Sequence, residues 1–366
     1  MIDLFYPYVP KEAIDAVTDV LRSRFIGQGP KVDQFEKDFN KFFHLNHSVA
    51  LNSGTSALDT AYDLVGLKRG DEVICTPLTC TATNLPLLRR GVKIIWADVD
   101  PDTLCIDYND INRKITDKTK AIVQVHLGGI KAGMGKYNFF KEGVFTQRKK
   151  IPIISDACQA LGIFSGDMTA CSFQAIKHIT TGDGGMIVLN NSKDEKDAKM
   201  LRWFGIDREK KIANNWQAYR ERKMTFDIDL PGTKRHMTDI SAAMGIAALK
   251  HYREVIKHRK KIFNIYRRKL CNIPGVMRIV DGEVNTYWLA TLLVENRDGF
   301  ARMLFDADVD TNVVQVRNDI YHVFGGKREN LMVMNSIEEN YISIPLGMHV
   351  SEENAEFICQ KIKGGW

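Results

Sequence analysis

Three features of the sequence predict a two-domain α/β protein. Its large, mixed and mainly parallel sheet domain would span residues 1–245, and a smaller C-terminal α/β domain residues 246–366. Apolar strand patterns alternate with helical patterns through the first half, which implies strand–helix–strand units covered on both faces. Polar residues gather just after those strands, where such sheets bind ligands. Near residue 239 the texture changes, and one long helical pattern opens a second, shorter set of elements.

In chain order, VPKEAIDAVTDVLRS (9–23) has the spacing of an amphipathic helix. PKVDQFEKDFNKFF (30–43) sets Val32, Phe35, Phe39 and Phe42 at helical spacing. HSVALNS (47–53) reads as a short buried strand, and GTSALDTAYDLVGL (54–67) as a helix. DEVICTP (71–77) is a strand, and TATNLPLLRRG (81–91) a helix broken or started near Pro86. KIIWADVD (93–100), KAIVQVHL (120–127), IPIISDA (151–157), ACSFQA (170–175) and GGMIVLN (184–190) are further strands. DISAAMGIAALKHYREVIKHRKKIFNIYRRKL (239–270) reads as one helix with basic outer positions. YWLATLLVE (287–295) is a strand, RDGFARMLFDADV (297–309) a helix, TNVVQVR (311–317) a strand and EENAEFICQKIKG (352–364) a final helix.

Hydrophobic residues make up 44% of the 366 positions and charged residues 26%, which suits a soluble globular protein. No stretch reads as a signal peptide, and none approaches the roughly 18 apolar residues of a membrane span. The expected location is the cytoplasm, with no membrane partner. Net charge is +6, with basic patches at 147–150, 208–213 and 258–269 read as solvated helix faces. No aromatic-basic motif accompanies them, so no nucleic-acid partner is expected. The seven cysteines show no CxxC pair or His/Cys ligand spacing, so they are read as reduced thiols, with no metal site.

SFQAIKHITTGDGG (172–185) sets Lys177 among aromatic, apolar and small residues, ahead of a glycine turn and with no acid beside it. A lysine usually packs its stem and sends its amine to water. Partial burial would instead lower its pKa and free the amine to form a Schiff base. In SDACQALG (155–162), Asp156 ends an apolar strand. It reads either as a helix cap or as an acid facing a protonated ring nitrogen, as pyridoxal 5′-phosphate (PLP) requires. Gln159 could lie beside the same ring. NSGTSAL (52–58) opens a helix with small residues, an anion site by its free N–H groups or an ordinary cap. Ser172 could add a hydroxyl to a phosphate.

These blocks resemble the DegT/DnrJ/EryC1/StrS family of PLP-dependent sugar aminotransferases, of fold type I in the aspartate aminotransferase superfamily. The likeness covers nearly the whole chain. It includes GQGPKVDQFEKDF, NSGTSAL, TCTATN, ADVDPDTL, SDACQALG, SFQAIKHITTGDGG, LRWFGIDR, HMTDISAAMG and SIPLGMHVSEENAEFICQKIKGGW. The resemblance implies that Lys177 is the Schiff-base lysine, that Asp156 pairs with the pyridinium nitrogen, and that Gln159 lies near the ring hydroxyl. Thr55, Ser56 and Ser172 would hold the phosphate. His236, before MTDI, would reach it from the neighbouring subunit, so the sites would be shared across a homodimer.

Three positions depart from the family pattern. Cys80 stands where an aromatic residue usually stacks on the ring, Ser155 replaces an acid, and segment 130–150 departs from the usual short helix. Related sugar dehydratases carry histidine in place of the lysine. Here the lysine is present and the histidine follows at 178, which favours transamination.

The function implied is transfer of an amino group from L-glutamate to a nucleotide-diphosphate-linked keto sugar, at C-4 of a 4-keto-6-deoxyhexose. The cofactor would cycle between PLP and pyridoxamine phosphate (PMP), in amino-sugar biosynthesis. The alternatives are a PLP-dependent sugar dehydratase and a non-enzymatic paralogue that binds PLP or sugar nucleotide. Arg317 could grip the diphosphate or a sugar hydroxyl, or form an ion pair with Asp319.

Overall fold

The computed structural model describes residues 1–133, 144–145, 150–208 and 228–366. Most of the segment 130–150, and most of the basic patch 208–213, lie outside them.

Among the described residues, seven strands form the main sheet: β1 (His47–Leu51), β2 (Glu72–Cys75), β3 (Lys93–Trp96), β4 (Thr119–Val125), β7 (Ile153–Asp156), β8 (Met168–Ser172) and β9 (Gly185–Leu189). Two-residue strands β5 (Val144–Phe145) and β6 (Lys150–Ile151) pair separately. The order is β1-β9-β8-β7-β4-β2-β3, and β9 alone runs against the rest. The expected mixed, mainly parallel sheet is the one observed. Apolar residues of β1, β2, β4, β7 and β8 are buried on both faces, which is why they read as near-continuous apolar runs.

Helices α1 (Lys11–Arg22), α2 (Pro30–Phe43), α3 (Gly54–Val65), α4 (Thr81–Arg89), α5 (Tyr108–Lys114) and α6 (Ser192–Leu201) accompany this sheet. The α2 face predicted from spacing is buried at Val32, Phe35 and Phe39, while Phe42 is only partly covered. Phe35 and Phe39 meet Phe173 edge-on at 5.4 and 6.0 Å, contacts worth about 0.5–1.5 kcal/mol each beyond area burial. The start of α2 is held from far along the chain. Both carboxylate oxygens of Asp239 accept from the N–H groups of Gly29, Lys31 and Val32 at 2.8–3.1 Å. Three donors that a helix start leaves unpaired are thereby satisfied.

Asp239 also begins α7 (Asp239–Leu270), whose length matches its sequence pattern. Beyond it, β10 (Val276–Ile279), β11 (Ala290–Val294) and β12 (Tyr341–Ile344) form an antiparallel sheet. It is accompanied by α8 (Arg297–Asp306), α9 (Met332–Ile337) and α10 (Glu352–Lys363). The strand expected at 311–317 is not formed. That segment pairs only singly, through Asn312 with Ser343 and Arg317 with Leu78, because it crosses between the two sheets instead of joining one. Residues 2–5 run beside this part of the molecule. Ile2 bridges Val309, the Asp3 carbonyl accepts from His349 Nε2 at 2.7 Å, and Phe5 stacks on Trp288 at 5.7 Å. No helix among the described residues is long and apolar enough to cross a membrane.

Candidate active site

Strand register brings the predicted residues to one edge of the main sheet. Gly185, at the start of β9, pairs with Leu51 on one side and Ser172 on the other. Asp156 pairs with Val125 and Ala170. The carboxyl ends of β1, β4, β7 and β8 therefore lie together.

The loop carrying Lys177 is closed by its own backbone. Phe173 N–H donates to Gly184 O at 2.8 Å, and Thr181 N–H to Phe173 O at 2.9 Å. Inside this loop Lys177 N–H donates to Gln174 O, making a tight turn. Lys177 is half-buried, its stem surrounded by protein, and its amine forms no ion pair among the described residues. The amine lies 3.6 Å from the ring centroid of Trp288. Burial lowers its pKa to about 8; Cys158, Asp156 and Cys80 oppose that shift and Arg259 adds to it. A useful share of the amine is thus neutral and nucleophilic near neutral pH.

Asp156 is buried, and both its oxygens are engaged. Oδ2 accepts from Thr83 Oγ1 at 2.6 Å, and Oδ1 from Cys158 N–H at 3.0 Å. Thr83 belongs to α4, whose start is pinned by Asn318. Asn318 Nδ2 donates to Thr79 O at 2.7 Å, and its Oδ1 accepts from Asn84 at 3.0 Å. Cys80 caps α4 without a side-chain hydrogen bond and is exposed. Gln159 Oε1 accepts from Gly128 N–H at 2.8 Å, which fixes its side chain.

The N-terminus of α3 sits beside Ser172. A Cβ on Gly54 would meet Cys158 Sγ at 2.7 Å and Ser172 Cβ at 2.8 Å, and one on Gly185 would meet Ser53 O at 2.3 Å. Only glycine permits these approaches. Ser53 Oγ caps the helix by accepting from Ser56 N–H, and Ser56 Oγ donates to Asn52 Oδ1 at 2.6 Å. The N–H groups of Gly54 and Thr55 have no acceptor within the helix, as at any helix start. Thr55 is exposed. The result is a helix start whose free N–H groups, beside Ser172, suit a phosphate.

His236 pairs by its backbone with Leu51, just before that helix start. Its ring packs edge-on to Trp203 at 4.5 Å, and its buried Nδ1 has no hydrogen-bond partner among the described residues. Burial first, then Lys234, Arg208 and Arg202, lower its pKa, so the ring is neutral and can offer or accept a hydrogen bond. His178 points inward, its Nε2 donating to Thr286 O at 2.8 Å. Burial pushes its pKa down to about 3.

Arg317 corrects an expectation. It is buried, and all five of its N–H donors are engaged within the protein: Asp319 (2.8 and 2.6 Å), Asn335 (2.5 Å), Glu338 (2.6 Å) and Arg328 O (3.5 Å). Its ion pair with Asp319 is present, and no donor remains for a ligand. Its side chain ties the segment that carries Asn318 to Arg328, Asn335 and Glu338.

Three neighbours of the site escaped the sequence reading. Thr83 fell inside a stretch of polar strand-end residues without standing out. Trp288 reads in the sequence only as part of a strand start. Arg259 lies within the basic run 258–269 and is indistinguishable there by sequence, yet it is buried, and among the described residues it bonds only to the carbonyls of Tyr287, Trp288 and Leu346 and leaves its Nε without a partner. Burial lowers its pKa to about 10.

These features fit PLP. The Lys177 amine, desolvated and without an ion pair among the described residues, lies at the same edge of the sheet as a fixed carboxylate and an open helix N-terminus.

Comparison with known proteins bears on the same reading. Residues 7–363 match the model of the DegT/DnrJ/EryC1/StrS aminotransferase family. The dTDP-4-dehydro-2,3,6-trideoxy-D-glucose 4-aminotransferase of Saccharopolyspora spinosa is 30% identical, aligning 85% of this chain with 83% of that protein. The crystal structure of AtS13 from Actinomadura melliaura is 31% identical with a TM-score of 0.89, covering 100% of this chain and 99% of that one. Spr1654 of Streptococcus pneumoniae, solved in a PMP form, is 26% identical with a TM-score of 0.85, covering 99% and 96%.

Proposed function

The chain belongs to the DegT/DnrJ/EryC1/StrS aminotransferase family, and from that premise we propose that it transfers an amino group from L-glutamate to C-4 of a nucleotide-diphosphate-linked 4-keto-6-deoxyhexose. It is a PLP-dependent aminotransferase of sugars. The observation that carries the reading is the Lys177 amine: desolvated, unpaired and beside a buried carboxylate at the mouth of the sheet. The 4-aminotransferase named among its relatives supports C-4.

PLP, when bound, supplies the carbonyl that takes up the amino group and a ring that accepts the electrons of the broken C–H bond. Lys177 Nζ is the base that takes the proton from the donor's Cα and, as ammonium, the acid that returns a proton. Asp156 would hold the ring nitrogen's proton, and Thr83 and the Cys158 N–H keep that carboxylate from turning away. Gln159 would meet the ring hydroxyl. Thr55, Ser56 and Ser172 would hold the phosphate at the start of α3. Cys80 would lie against the ring without aromatic stacking. In this reading residues 1–245 form the cofactor domain and 246–366 the smaller one.

A panel of nucleotide-linked keto sugars with isotope-labelled glutamate, read by mass spectrometry, tests the activity. The 4-keto-6-deoxyhexoses should gain the labelled nitrogen. Loss of a hydroxyl without gain of nitrogen would instead identify a dehydratase and overturn the proposal.

We further infer a homodimer in which His236 reaches the neighbour's phosphate. Its buried Nδ1, without a partner among the described residues, supports a contact from the neighbouring subunit's cofactor. His236→Ala should weaken PLP retention by roughly 1.5–3 kcal/mol, the worth of a hydrogen bond to a charged group. Hybrid dimers give the direction. Pairing a His236→Ala subunit with a Lys177→Ala subunit leaves one complete site at near-normal PLP affinity. Placing both changes in one subunit leaves the other with its lysine but without the neighbour's histidine, and its affinity falls. Equal retention by the two hybrids overturns the shared site at this residue.

A further inference from the structure

The side chain of Trp288 faces the Lys177 amine at 3.6 Å and is tightly held. It is one of the largest fully buried side chains among the described residues. Its backbone N–H donates to Gly128 O at 3.1 Å, its carbonyl accepts from Arg259 Nη1 at 3.2 Å, and its indole Nε1–H donates to Ile176 O at 3.1 Å. Phe5 stacks on the ring, tilted by 24°. An indole held at so many points offers Lys177 one fixed ring face.

We propose that Trp288 is a positioning residue for the transfer: its indole face receives the Lys177 amine whenever that amine is free, and steadies it while it carries the proton taken from the substrate carbon. This rests on the reading of Lys177 as the reactive lysine. Such a lysine must exist twice per cycle as a free amine that gains a proton from the substrate carbon and later gives one up. Its charge changes from zero to +1 in a place where water is scarce. A carboxylate directly against it would trap the charged form. An indole face attracts a cation by its quadrupole and offers no proton acceptor, so it stabilises the ammonium modestly and leaves it able to donate.

The other groups around the amine are consistent with that need for balance. Asp156 and Cys158, from the end of β7 and the turn after it, and Cys80, from the start of α4, favour its charge. Arg259, from α7, disfavours it. His178, next in the chain, is neutral and turned away.

The test leaves burial unchanged and alters only the ring's charge distribution. The full-length chain is made with its tryptophans replaced by singly and then doubly fluorinated tryptophan. It is examined free of cofactor and again with pyridoxamine phosphate bound, since both states leave the lysine amine free. Competitive acylation with trace acetic anhydride across pH, read by peptide mass spectrometry, gives the pKa of Lys177. It should fall stepwise with fluorination, by about 0.3–1 unit in all, a two- to tenfold loss of ammonium. An unchanged value overturns the proposal.

Trp288→Phe locates the effect among the five tryptophans. In that background fluorination should no longer move Lys177, and an undiminished response there would also overturn the assignment. The unsubstituted series decides the question alone if that variant fails to fold. Borohydride labelling of another lysine would sink the reading of the site itself, and is a separate result.

Discussion

Lys177→Ala should lose turnover by about 10⁴-fold or more while the chain still folds. The amine is the group that moves the proton in both half-reactions, and general acid–base catalysis alone is worth up to that factor. Borohydride should fix the cofactor to the peptide containing Lys177 in the unsubstituted protein and to no peptide in the variant. Labelling of a different lysine would overturn the assignment.

Stability should move in the opposite direction to activity. Burial lowers the folded-state pKa of this lysine from 10.5 to about 8. The folded chain therefore disfavours the charged form, and the cofactor-free protein carries that penalty at pH values below 8. The penalty fades as pH rises from 8 towards 10.5, where the unfolded chain also loses the proton. Removing the amine should stabilise the cofactor-free chain at pH 7, on the order of 1–3 kcal/mol, with the difference closing above pH 10.5. Thermal unfolding at several pH values would show this, and a lower Tm for the variant at pH 7 would contradict it.

Asp156→Asn should slow both half-reactions by about 10²–10³-fold and leave the cofactor bound. An amide cannot sustain a protonated ring nitrogen, and losing a fixed electrostatic stabiliser costs about 2.7–4 kcal/mol of barrier. The fold should suffer little. An asparagine can keep both contacts, its oxygen accepting from the Cys158 N–H and its amide donating to Thr83 Oγ1, whose own proton then turns to Thr79 Oγ1. Single-turnover spectroscopy with glutamate separates the effects. Unchanged rates would remove Asp156 from the chemistry, and loss of the cofactor would make it an anchor.

How far the sequence reaches depends on the distance over which each feature is encoded. The strands of the main sheet were legible because double burial writes itself as consecutive apolar residues. The helices α2 and α7 were legible because their buried stripes repeat at helical spacing. The types and chain order of Lys177, Asp156 and the NSGTSAL block were legible because each is local to one strand end. Arg259 looks like its solvated neighbours in a basic run, since nothing local says that its position on α7 faces the carbonyls of residues 287, 288 and 346. The partners of Arg317 include Asn335 and Glu338, brought together only by the folded chain. Trp288 meets Lys177 across more than a hundred residues, and no spacing rule reaches that far. TNVVQVR has strand-like residues but no strand to pair with along its length, a case of tertiary context overriding propensity.

The lodging of residues 2–5 against residues 309, 349 and 288 has a consequence for synthesis. These residues leave the ribosome long before their partners exist. The main sheet has all its strands once residue 189 has emerged, but α2 must wait for Asp239 to hold its start, and residues 2–5 for a segment later still. Until then Phe5 has no indole to lie on, and the ring beneath Lys177 has no backing. Assembly of the reactive centre is thus a late, long-range event in the life of each new chain, and the nascent protein has its sheet before it has a complete lysine site.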